Sequence, residues 1–376
     1  MNSRERVLAA LNHEVPDRVP IDFGGFPGVT SMNLLAYQKL LEYFGIKRDA
    51  RMGNLIMFTA EIDEDILNRF HVDTKNATPS ISQFGTPEEF VDKAWGVKWH
   101  RSMVSADYTY APAEGPFQNI SRPTANDVKN FKWPRPSEIE DFAQWREKSK
   151  KLRQESDKAL IARTMPGIFT QAQYMRGLEA WMMDLVMNRP FSDALHSKLC
   201  DLWIETVGGI IEAVGDNIDI IQFGDDFGLQ NQPMLSPNTF REQVKPLMKK
   251  MIGTIKPLTK AKIALHTCGS VFAYIDDFMD IGIDVLNPLQ SNAKDMDPLR
   301  IKEKTAGKMA LWGGIDTHEV LPKGDNQALR AEVQKKISIY GKGGGYVLCA
   351  DHNIQVDVPP QNLVAMFEAA VEYGVY

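Results

Sequence analysis

The feature that most constrains this chain is an alternation of short apolar runs with longer helical patterns, which begins near Ala159. The short runs end in polar or glycine-rich residues, and the stretches between them carry the 3.6-residue apolar period of amphipathic helices. Repeated strand-then-helix units are typical of a parallel sheet covered by helices. The alternation therefore predicts an α/β fold, a closed (β/α)8 TIM barrel, with a doubly wound sheet as the alternative.

The predicted strands share an apolar start and a polar or glycine-rich end. They end in Val19–Gly25, Ala162–Thr164, Gln222–Asp226, Leu265–Cys268, Leu286–Gln290, Trp312–Asp316 and Leu348–His352. Helices are predicted over Glu138–Ser156, over Met175–Ala213 with a break at 188–190, over Phe240–Met251 and over Gln361–Tyr373. Segment 51–136 has scattered aromatic residues, prolines and weak periodicity, so we interpret it as an elaboration that covers one end of a single barrel domain spanning 1–376.

Composition excludes several classes of function. The 43 basic and 49 acidic residues give a net charge of −6, without the basic runs that nucleic-acid binding requires. No stretch approaches eighteen uninterrupted apolar residues, and no targeting signal is visible, so we expect a soluble protein with no membrane association. Three scattered cysteines, Cys200, Cys268 and Cys349, cannot form a disulfide scaffold. They indicate a reducing cytoplasm in which thiols are available for metal binding.

A histidine and a cysteine stand two residues apart where a predicted strand ends. His266 and Cys268 would both point into the barrel mouth, because residues two apart share a face of a strand, and barrel active sites lie at the carboxyl ends of the strands. An imidazole and a thiolate together suit zinc, and three protein ligands leave one position open. The alternative interpretation is a hydrogen-bonded histidine beside a small buried cysteine.

Another strand end offers the third ligand. It carries Cys349, Asp351 and His352, and in a regular strand the first two share a face while the third lies on the other. Alternation therefore allows Cys349 or His352 to complete the site, but not both.

Further candidates lie at neighbouring strand ends. Asp225 and Asp226 are candidate catalytic residues that would orient substrate or act as a base, with a helix cap and turn before Ser236 as the alternative. Arg163 and Tyr174 are candidates for substrate contact, with a buried structural role as the alternative.

Several motifs together resemble the uroporphyrinogen decarboxylase superfamily, and in particular its cobalamin-dependent zinc methyltransferase branch. The resemblance covers nearly the whole chain. The matching motifs lie at 4–7, 16–20, 266–270 (HTCGS), 284–290 (DVLNPLQ), 312–316 (WGGID), 343–355 and 358–363. The superfamily fold is a (β/α)8 barrel, which agrees with the strand-and-helix pattern.

The resemblance implies a zinc site. Characterised methyltransferases of this branch hold zinc through His-x-Cys and a later cysteine, which here correspond to His266, Cys268 and, in place of the later cysteine, His352. This departure makes His352 the favoured third ligand and Cys349 the alternative. If His352 binds the metal, we expect Cys349 to pack outward against helices as a small apolar residue.

The implied function is zinc-dependent transfer of a methyl group between a small methylated compound, such as a methyl ether or methylamine, or a thiol, and a corrinoid. The corrinoid would be supplied in trans, by a partner corrinoid protein or from solution. Proteins that carry the corrinoid themselves have Asp-x-His-x-x-Gly, whereas the stretch that starts at Asp316 has Leu321 at the glycine position. The methyl donor or acceptor, the direction of transfer and the oligomeric state stay open.

Three rival functions remain. A metal-free decarboxylase of the same superfamily would bind carboxylates through an arginine-rich element, but the matching region from Asp22 to Gly28 contains no arginine and makes Asp22 the candidate substrate contact. A non-catalytic scaffold and a zinc hydrolase are the other two rivals.

Gln290 is a further candidate to bind substrate. In relatives, an acidic residue close to the metal lies near this position.

Overall fold

The computed structural model of the protein describes residues 1–79, 88–104 and 107–376. The described strands, numbered in chain order, are β1 (Met52–Asn54), β2 (Thr59–Ala60), β3 (Thr74–Asn76), β4 (Glu89–Val91), β5 (Lys98–Val104), β6 (Asp107–Glu114), β7 (Ala159–Pro166), β8 (Ile220–Gly224), β9 (Lys262–His266), β10 (Val285–Asn287), β11 (Ala310–Ile315) and β12 (Tyr346–Ala350).

The described α-helices are α1 (Ser3–Leu11), α2 (Leu34–Tyr43), α3 (Glu64–Arg69), α4 (Ala125–Asn130), α5 (Pro136–Ile139), α6 (Phe142–Glu155), α7 (Ile168–Arg176), α8 (Leu178–Met187), α9 (Arg189–Val214), α10 (Pro237–Thr239), α11 (Lys245–Ile255), α12 (Ile275–Asp280), α13 (Pro298–Thr305), α14 (Val320–Lys323), α15 (Asn326–Lys336) and α16 (Pro360–Tyr373). Among these described helices, none combines the length and apolarity that a bilayer span requires.

Seven parallel strands curl into one sheet in the order β12-β11-β10-β9-β8-β7-β3. The extended segment 20–22 lies between its two edges. On one side Ile21 pairs in parallel with Leu348, whose N–H donates to the Pro20 carbonyl at 2.9 Å. On the other side the Asp73 N–H donates to the Ile21 carbonyl at 2.8 Å. Segment 20–22 therefore occupies the position of the eighth barrel strand and closes the sheet. The predicted (β/α)8 barrel is confirmed.

Strand alternation divides the buried residues into two clusters. The inner cluster fills the barrel, and its members are Val7, Leu11, Phe26, Val29, Ala159, Ile161, Ile220, Ala264, Val285, Ala310, Trp312, Val347 and Cys349. Neighbours on the other face, such as Leu265 and Leu348, pack toward the helices. Val7 and Leu11 of α1 close the amino-terminal end of the barrel, which leaves the carboxyl ends of the strands for the functional site.

The expectation that Cys349 packs outward against helices is wrong. Cys349 and Val347 lie on the inner face of β12, while Leu348 between them packs with the outer cluster. The physical reason is the two-residue period of the strand, which assigns Cys349 the same face as Asp351.

One barrel strand lies within the segment that we interpreted as an elaboration. β3 belongs to the barrel and pairs with β7 through Thr74 and Ala159. Its three residues, Thr-Lys-Asn, carry no apolar signal, so periodicity could not identify it. The rest of segment 51–136 holds the β1–β2 hairpin and the antiparallel sheet β4-β5-β6, and its residues 80–87 and 105–106 lie outside the described part of the chain.

The helix boundaries differ from the predictions in three places. The stretch Met175–Ala213 breaks at 188–190 as expected, but also at Gly177, whose φ of 80° belongs to the left-handed region that favours glycine. The stretch Glu138–Ser156 divides into α5 and α6. The helix after Ser236, whose side chain accepts the Thr239 N–H, passes through a π-helical turn at Phe240–Val244 before α11.

A buried carboxylate connects segment 20–22 to the neighbouring elements of the barrel. Asp73 is fully buried, and its oxygens accept hydrogen bonds from Arg6 at 2.7 Å, Arg18 at 2.8 Å and the Ile21 N–H at 2.9 Å. Two guanidinium groups compensate for the removal of this charge from water. This network joins α1, segment 18–21 and the start of β3 at the closed end of the barrel.

We expect Asp73→Ala to lower the free energy of unfolding by about 3–5 kcal/mol, because it leaves two partly buried guanidinium groups without their shared partner. The measurement is urea denaturation followed by circular dichroism. Asp65→Ala is the control, since Asp65 pairs with Arg48 at 2.6 Å while its side chain is 53% exposed, and its loss should cost less than about 1 kcal/mol. Equal effects of the two substitutions would contradict the role assigned to Asp73.

Candidate metal and substrate site

The HTCGS motif forms the turn that leaves β9. His266 is the last residue of the strand, and the Thr267 N–H still donates to the Asn287 carbonyl of β10 at 2.8 Å. Gly269 then adopts φ 78°, and a β-carbon there would lie 2.6 Å from the backbone carbon of Gly228. Only glycine fits this close approach, which turns the chain so that Cys268 faces back toward His266.

A hydrogen bond fixes the tautomer of the neutral His266 ring. Asn287 pairs with His266 in the register of β9 and β10, and its Oδ1 lies 2.7 Å from His266 Nδ1. The Asn287 amide nitrogen donates to the Trp312 carbonyl at 3.1 Å, so Oδ1 is the atom that faces the ring. His266 Nδ1 must therefore carry the proton, which leaves a lone pair on Nε2 for a metal or substrate.

Three ligand atoms converge beside this lone pair. His266 Nε2 lies 3.3 Å from Cys268 Sγ, and one carboxylate oxygen of Asp226 lies within 4.8 Å of both. A tetrahedral zinc ion with bonds of about 2.3 Å to sulfur and 2.0 Å to nitrogen would separate those two atoms by about 3.5 Å. The observed separation fits that requirement. The arrangement also fixes the loop, because Asp226 Oδ1 accepts the Cys268 N–H at 2.8 Å.

Burial controls the protonation of both side chains. Burial lowers the pKa of His266 to about 4, against the opposing effects of Asp226 and Asn287, so its imidazole is neutral at neutral pH. Burial, together with the Asp226 carboxylate, raises the pKa of the Cys268 thiol well above its usual range. In the metal-free protein this thiol keeps its proton, and a metal must displace that proton to bind.

Arg163 and Tyr174 belong to the same electrostatic neighbourhood. Burial lowers the pKa of Arg163 to about 10, while Tyr174 and Asp226 oppose the shift. Burial raises the pKa of Tyr174 to about 12, and Asp226 adds to the increase. Arg163 donates to the Pro27 carbonyl, and among the described residues it forms no ion pair with a carboxylate. Their predicted contacts with substrate stay predictions.

Asp225 has a different position from its neighbour. Its oxygens accept the backbone N–H groups of Thr170 at 2.7 Å and Phe169 at 3.3 Å, at the start of α7. A β-carbon on Gly167 would lie 2.2 Å from Asp225 Oδ2, so the glycine makes this approach possible. Burial raises the pKa of Asp225 to about 7. The structure thus places Asp225 as a cap of α7, outside the group formed by Asp226, His266 and Cys268.

Gln290 and Asp22 also have partners within the protein. Gln290 Oε1 accepts the Gly269 N–H at 2.6 Å and so stabilises the turn formed by the HTCGS motif. Asp22 is buried inside the barrel, where it accepts the Trp312 Nε1–H at 2.9 Å and the Thr74 hydroxyl at 2.5 Å. Burial raises the pKa of Asp22. Their predicted roles in substrate binding stay predictions.

The two candidates for the third ligand are separated by the fold. Cys349 lies in the barrel interior, where its thiol donates to the Ala350 carbonyl at 3.1 Å. His352 follows β12, and burial lowers its pKa while Asp226 opposes that shift. The described donors that come within 4.8 Å of one another here are Asp226, His266 and Cys268, without His352. The sequence predicted Asp226 as a catalytic residue, and its position after β8, the strand next to β9, was the signal that it could lie beside His266 and Cys268.

Comparison with known proteins identifies the family. A sequence model described as uroporphyrinogen decarboxylase (URO-D) matches residues 102–373, more than half of the chain. The chain belongs to the uroporphyrinogen decarboxylase family. Over 268 residues it is 24% identical to a uroporphyrinogen decarboxylase of Legionella pneumophila, which covers 70% of this chain and 72% of that protein.

Two methyltransferases are also similar. Over 155 residues the chain is 27% identical to the methylcobamide:CoM methyltransferase MtaA of Methanosarcina barkeri, which covers 41% of this chain and 42% of that protein. A solved methyltransferase structure from Methanosarcina mazei superimposes with a TM-score of 0.67 over 99% of both chains, at 18% identity. The resemblance to the uroporphyrinogen decarboxylase family predicted from the motifs is therefore confirmed, together with its barrel fold.

Replacing the carboxylate next to Cys268 tests the site electrostatics. We expect Asp226→Asn to speed alkylation of Cys268 by iodoacetamide in the metal-free protein at pH 8, because removal of a negative charge lowers the pKa of the thiol and raises its thiolate fraction. The measurement is the pH dependence of the labelling rate by mass spectrometry, with Cys268→Ser as the blank. An unchanged or slower rate would show that Asp226 does not act on this thiol.

Proposed function

We propose that this protein is a zinc-dependent methyltransferase that moves a methyl group between a small methylated substrate, or a thiol, and a corrinoid supplied in trans. The observation that carries the proposal is the convergence of His266 Nε2, Cys268 Sγ and an Asp226 oxygen within 4.8 Å at the carboxyl ends of the barrel strands. The similarity to a methylcobamide:CoM methyltransferase supports the same reaction class. The corrinoid protein is the implied partner.

The donor set fits zinc. It offers one thiol, one neutral imidazole and one carboxylate, and the sulfur-to-nitrogen separation of 3.3 Å agrees with tetrahedral geometry. We propose His266, Cys268 and Asp226 as ligands, with His352 as the competing third ligand. When bound, zinc would supply Lewis-acid activation of the substrate oxygen, nitrogen or sulfur.

The chain's own residues prepare this site in three ways. Asn287 keeps His266 in the tautomer that presents Nε2, and Gln290 supports the turn that presents Cys268. We propose that Arg163 and Tyr174 contact the substrate, since the buried Arg163 guanidinium would favour an oxygen-bearing or anionic group. Positioning of substrate and partner against these fixed groups accounts for the contribution of the barrel to catalysis.

We further propose that the described part of segment 51–136 covers the mouth of the site. The Trp99 ring of β5 lies 4.9 Å from the Tyr174 ring in an edge-to-face contact, and the Phe117 N–H donates to the Met175 carbonyl at 2.9 Å. Both contacts join the segment to α7, the helix that follows a barrel strand at its carboxyl end. A cover in this position would exclude water from the reacting groups.

A metal-free decarboxylase is the second candidate. Its support is the 24% identity over 268 residues to a protein named uroporphyrinogen decarboxylase. A substrate with many carboxylates needs several cationic partners, whereas residues 22–28 contain none and Asp22 is buried against Trp312 and Thr74. The two candidates differ in metal content and in the need for a corrinoid.

Metal analysis tests the ligand assignment. We expect about one zinc ion per wild-type chain, and a loss of affinity of at least about tenfold in Cys268→Ser and in Asp226→Asn, because each removes a donor. His352→Ala should lose less zinc than Asp226→Asn. The measurement is zinc content after dialysis against a chelator, by mass spectrometry.

The matched control for the zinc experiment is Cys200→Ser. Cys200 is buried, and its thiol donates to the Leu247 carbonyl at 3.5 Å, a bond that a serine hydroxyl can also form. This variant should keep the wild-type zinc content. Equal zinc in wild type, Cys268→Ser and Asp226→Asn would refute the site. Loss of zinc in Cys268→Ser and His352→Ala, but not in Asp226→Asn, would instead replace Asp226 by His352 as the third ligand.

Visible spectra of cob(I)alamin test the reaction itself. We expect the zinc-loaded protein to convert cob(I)alamin to methylcobalamin with at least one methyl ether or methylamine, or to demethylate methylcobalamin with a thiol. His266→Ala should lower the rate by at least about a hundredfold, since it removes both a ligand and its positioning. Carbon dioxide release from a porphyrinogen by the zinc-free protein, with no cobalt spectral change, would favour the decarboxylase instead.

A further inference from the structure

A second group of donors lies at the carboxyl ends of β11 and β12. Ile315 of β11 pairs with Ala350 of β12, and each strand is followed at once by an aspartate. Asp316 and Asp351 are therefore side by side, and the Asp351 N–H donates to the Ile315 carbonyl at 2.8 Å. Ligand atoms of Asp316, His318 and Asp351 all lie within 4.8 Å of one another.

The internal hydrogen bonds do not account for this group. Thr317 donates its N–H at 3.1 Å and its hydroxyl at 2.7 Å, and both donate to the same oxygen, Oδ1 of Asp351. The other oxygen, Oδ2, is buried and has no hydrogen-bond partner among the described residues. Asp351 is fully buried as a residue. A buried carboxylate oxygen without a donor is costly, and a bound cation would remove that cost.

Asp316 and His318 complete the group without a basic side chain. Within the described ranges, neither Asp316 nor Asp351 forms an ion pair with a lysine or arginine. The Asn292 amide nitrogen contacts Asp316 Oδ1 at 3.3 Å and His318 Nδ1 at 3.1 Å. A half-turn of that amide would present its oxygen as a fourth donor. The His318 side chain is 54% exposed, so an ion can reach the group from solvent.

We propose that Asp316, His318 and Asp351 form a second cation site, for a hard divalent ion such as Mn²⁺ or Mg²⁺. Two of the three donors are carboxylates, the ligand type that suits these hard ions, whereas the thiolate of Cys268 selects zinc. The second site is separate in its donors from the proposed zinc site.

The test is a titration of the full-length, zinc-loaded protein with Mn²⁺, followed by the electron paramagnetic resonance signal of the free ion. Zinc is silent in this measurement. We expect wild type to bind about one Mn²⁺, and Asp316→Asn and His318→Ala each to weaken binding by at least about tenfold, because each removes a ligand. An asparagine at 316 still accepts the His318 N–H, which now donates to Asp316 Oδ1 at 2.6 Å, so the turn should be kept.

Two controls make the outcome decisive. Asp325→Asn removes a carboxylate that caps α15 by accepting the Ala328 N–H at 2.8 Å, and asparagine caps equally well, so Mn²⁺ affinity should not change. Cys268→Ser should lose zinc and keep Mn²⁺. No Mn²⁺ binding by wild type, equal affinity in all variants, or loss of Mn²⁺ in Cys268→Ser would each overturn the second site. Absence of zinc with intact Mn²⁺ binding would overturn only the proposed function.

Discussion

The hydrogen bond between His266 Nδ1 and Asn287 Oδ1, at 2.7 Å, is the constraint on which the site depends. It forms because His266 and Asn287 are register partners at the ends of β9 and β10. A slip of one residue in that pairing would turn the imidazole to the helical side of the sheet. The carbonyl of Trp312 holds the amide from the third strand, so three adjacent strands together decide which ring nitrogen faces Cys268.

The parts of the fold that follow from local pattern could be predicted from the sequence. These parts depend on residues that are close together in the chain. They are the ends of the six strands β7 to β12, the helix start at Ser236, and the proximity of the His266 and Cys268 side chains. β3 could not be predicted, since Thr74 and its two neighbours are polar and become a strand only through pairing with β7. Asp225 shows the same limit, because the N–H groups that it accepts lie 55 and 56 residues earlier.

The third ligand shows where strand alternation stops being informative. Cys349 is within β12, so its inward direction follows from the two-residue period. His352 comes after the strand has ended, in a loop that is fixed by the Ile354 N–H donating to the Ser31 carbonyl at 2.9 Å. Its direction depends on that distant contact, which no local rule contains. For Asp226 the sequence shows only that it follows β8, the strand next to β9, because its approach to the Cys268 N–H depends on the loop that follows β8.

The identity of the third ligand also decides the charge of the proposed site. A thiolate at Cys268, a neutral His266 and an ionised Asp226 would balance the two positive charges of zinc. With His352 in place of Asp226, one positive charge would remain. A neutral centre leaves a bound thiolate more nucleophilic and favours methyl transfer to a thiol, whereas a cationic centre withdraws more charge and favours cleavage of a methyl ether or methylamine. If Asp226 is the third ligand, the proposed site would therefore suit a thiol as the small substrate.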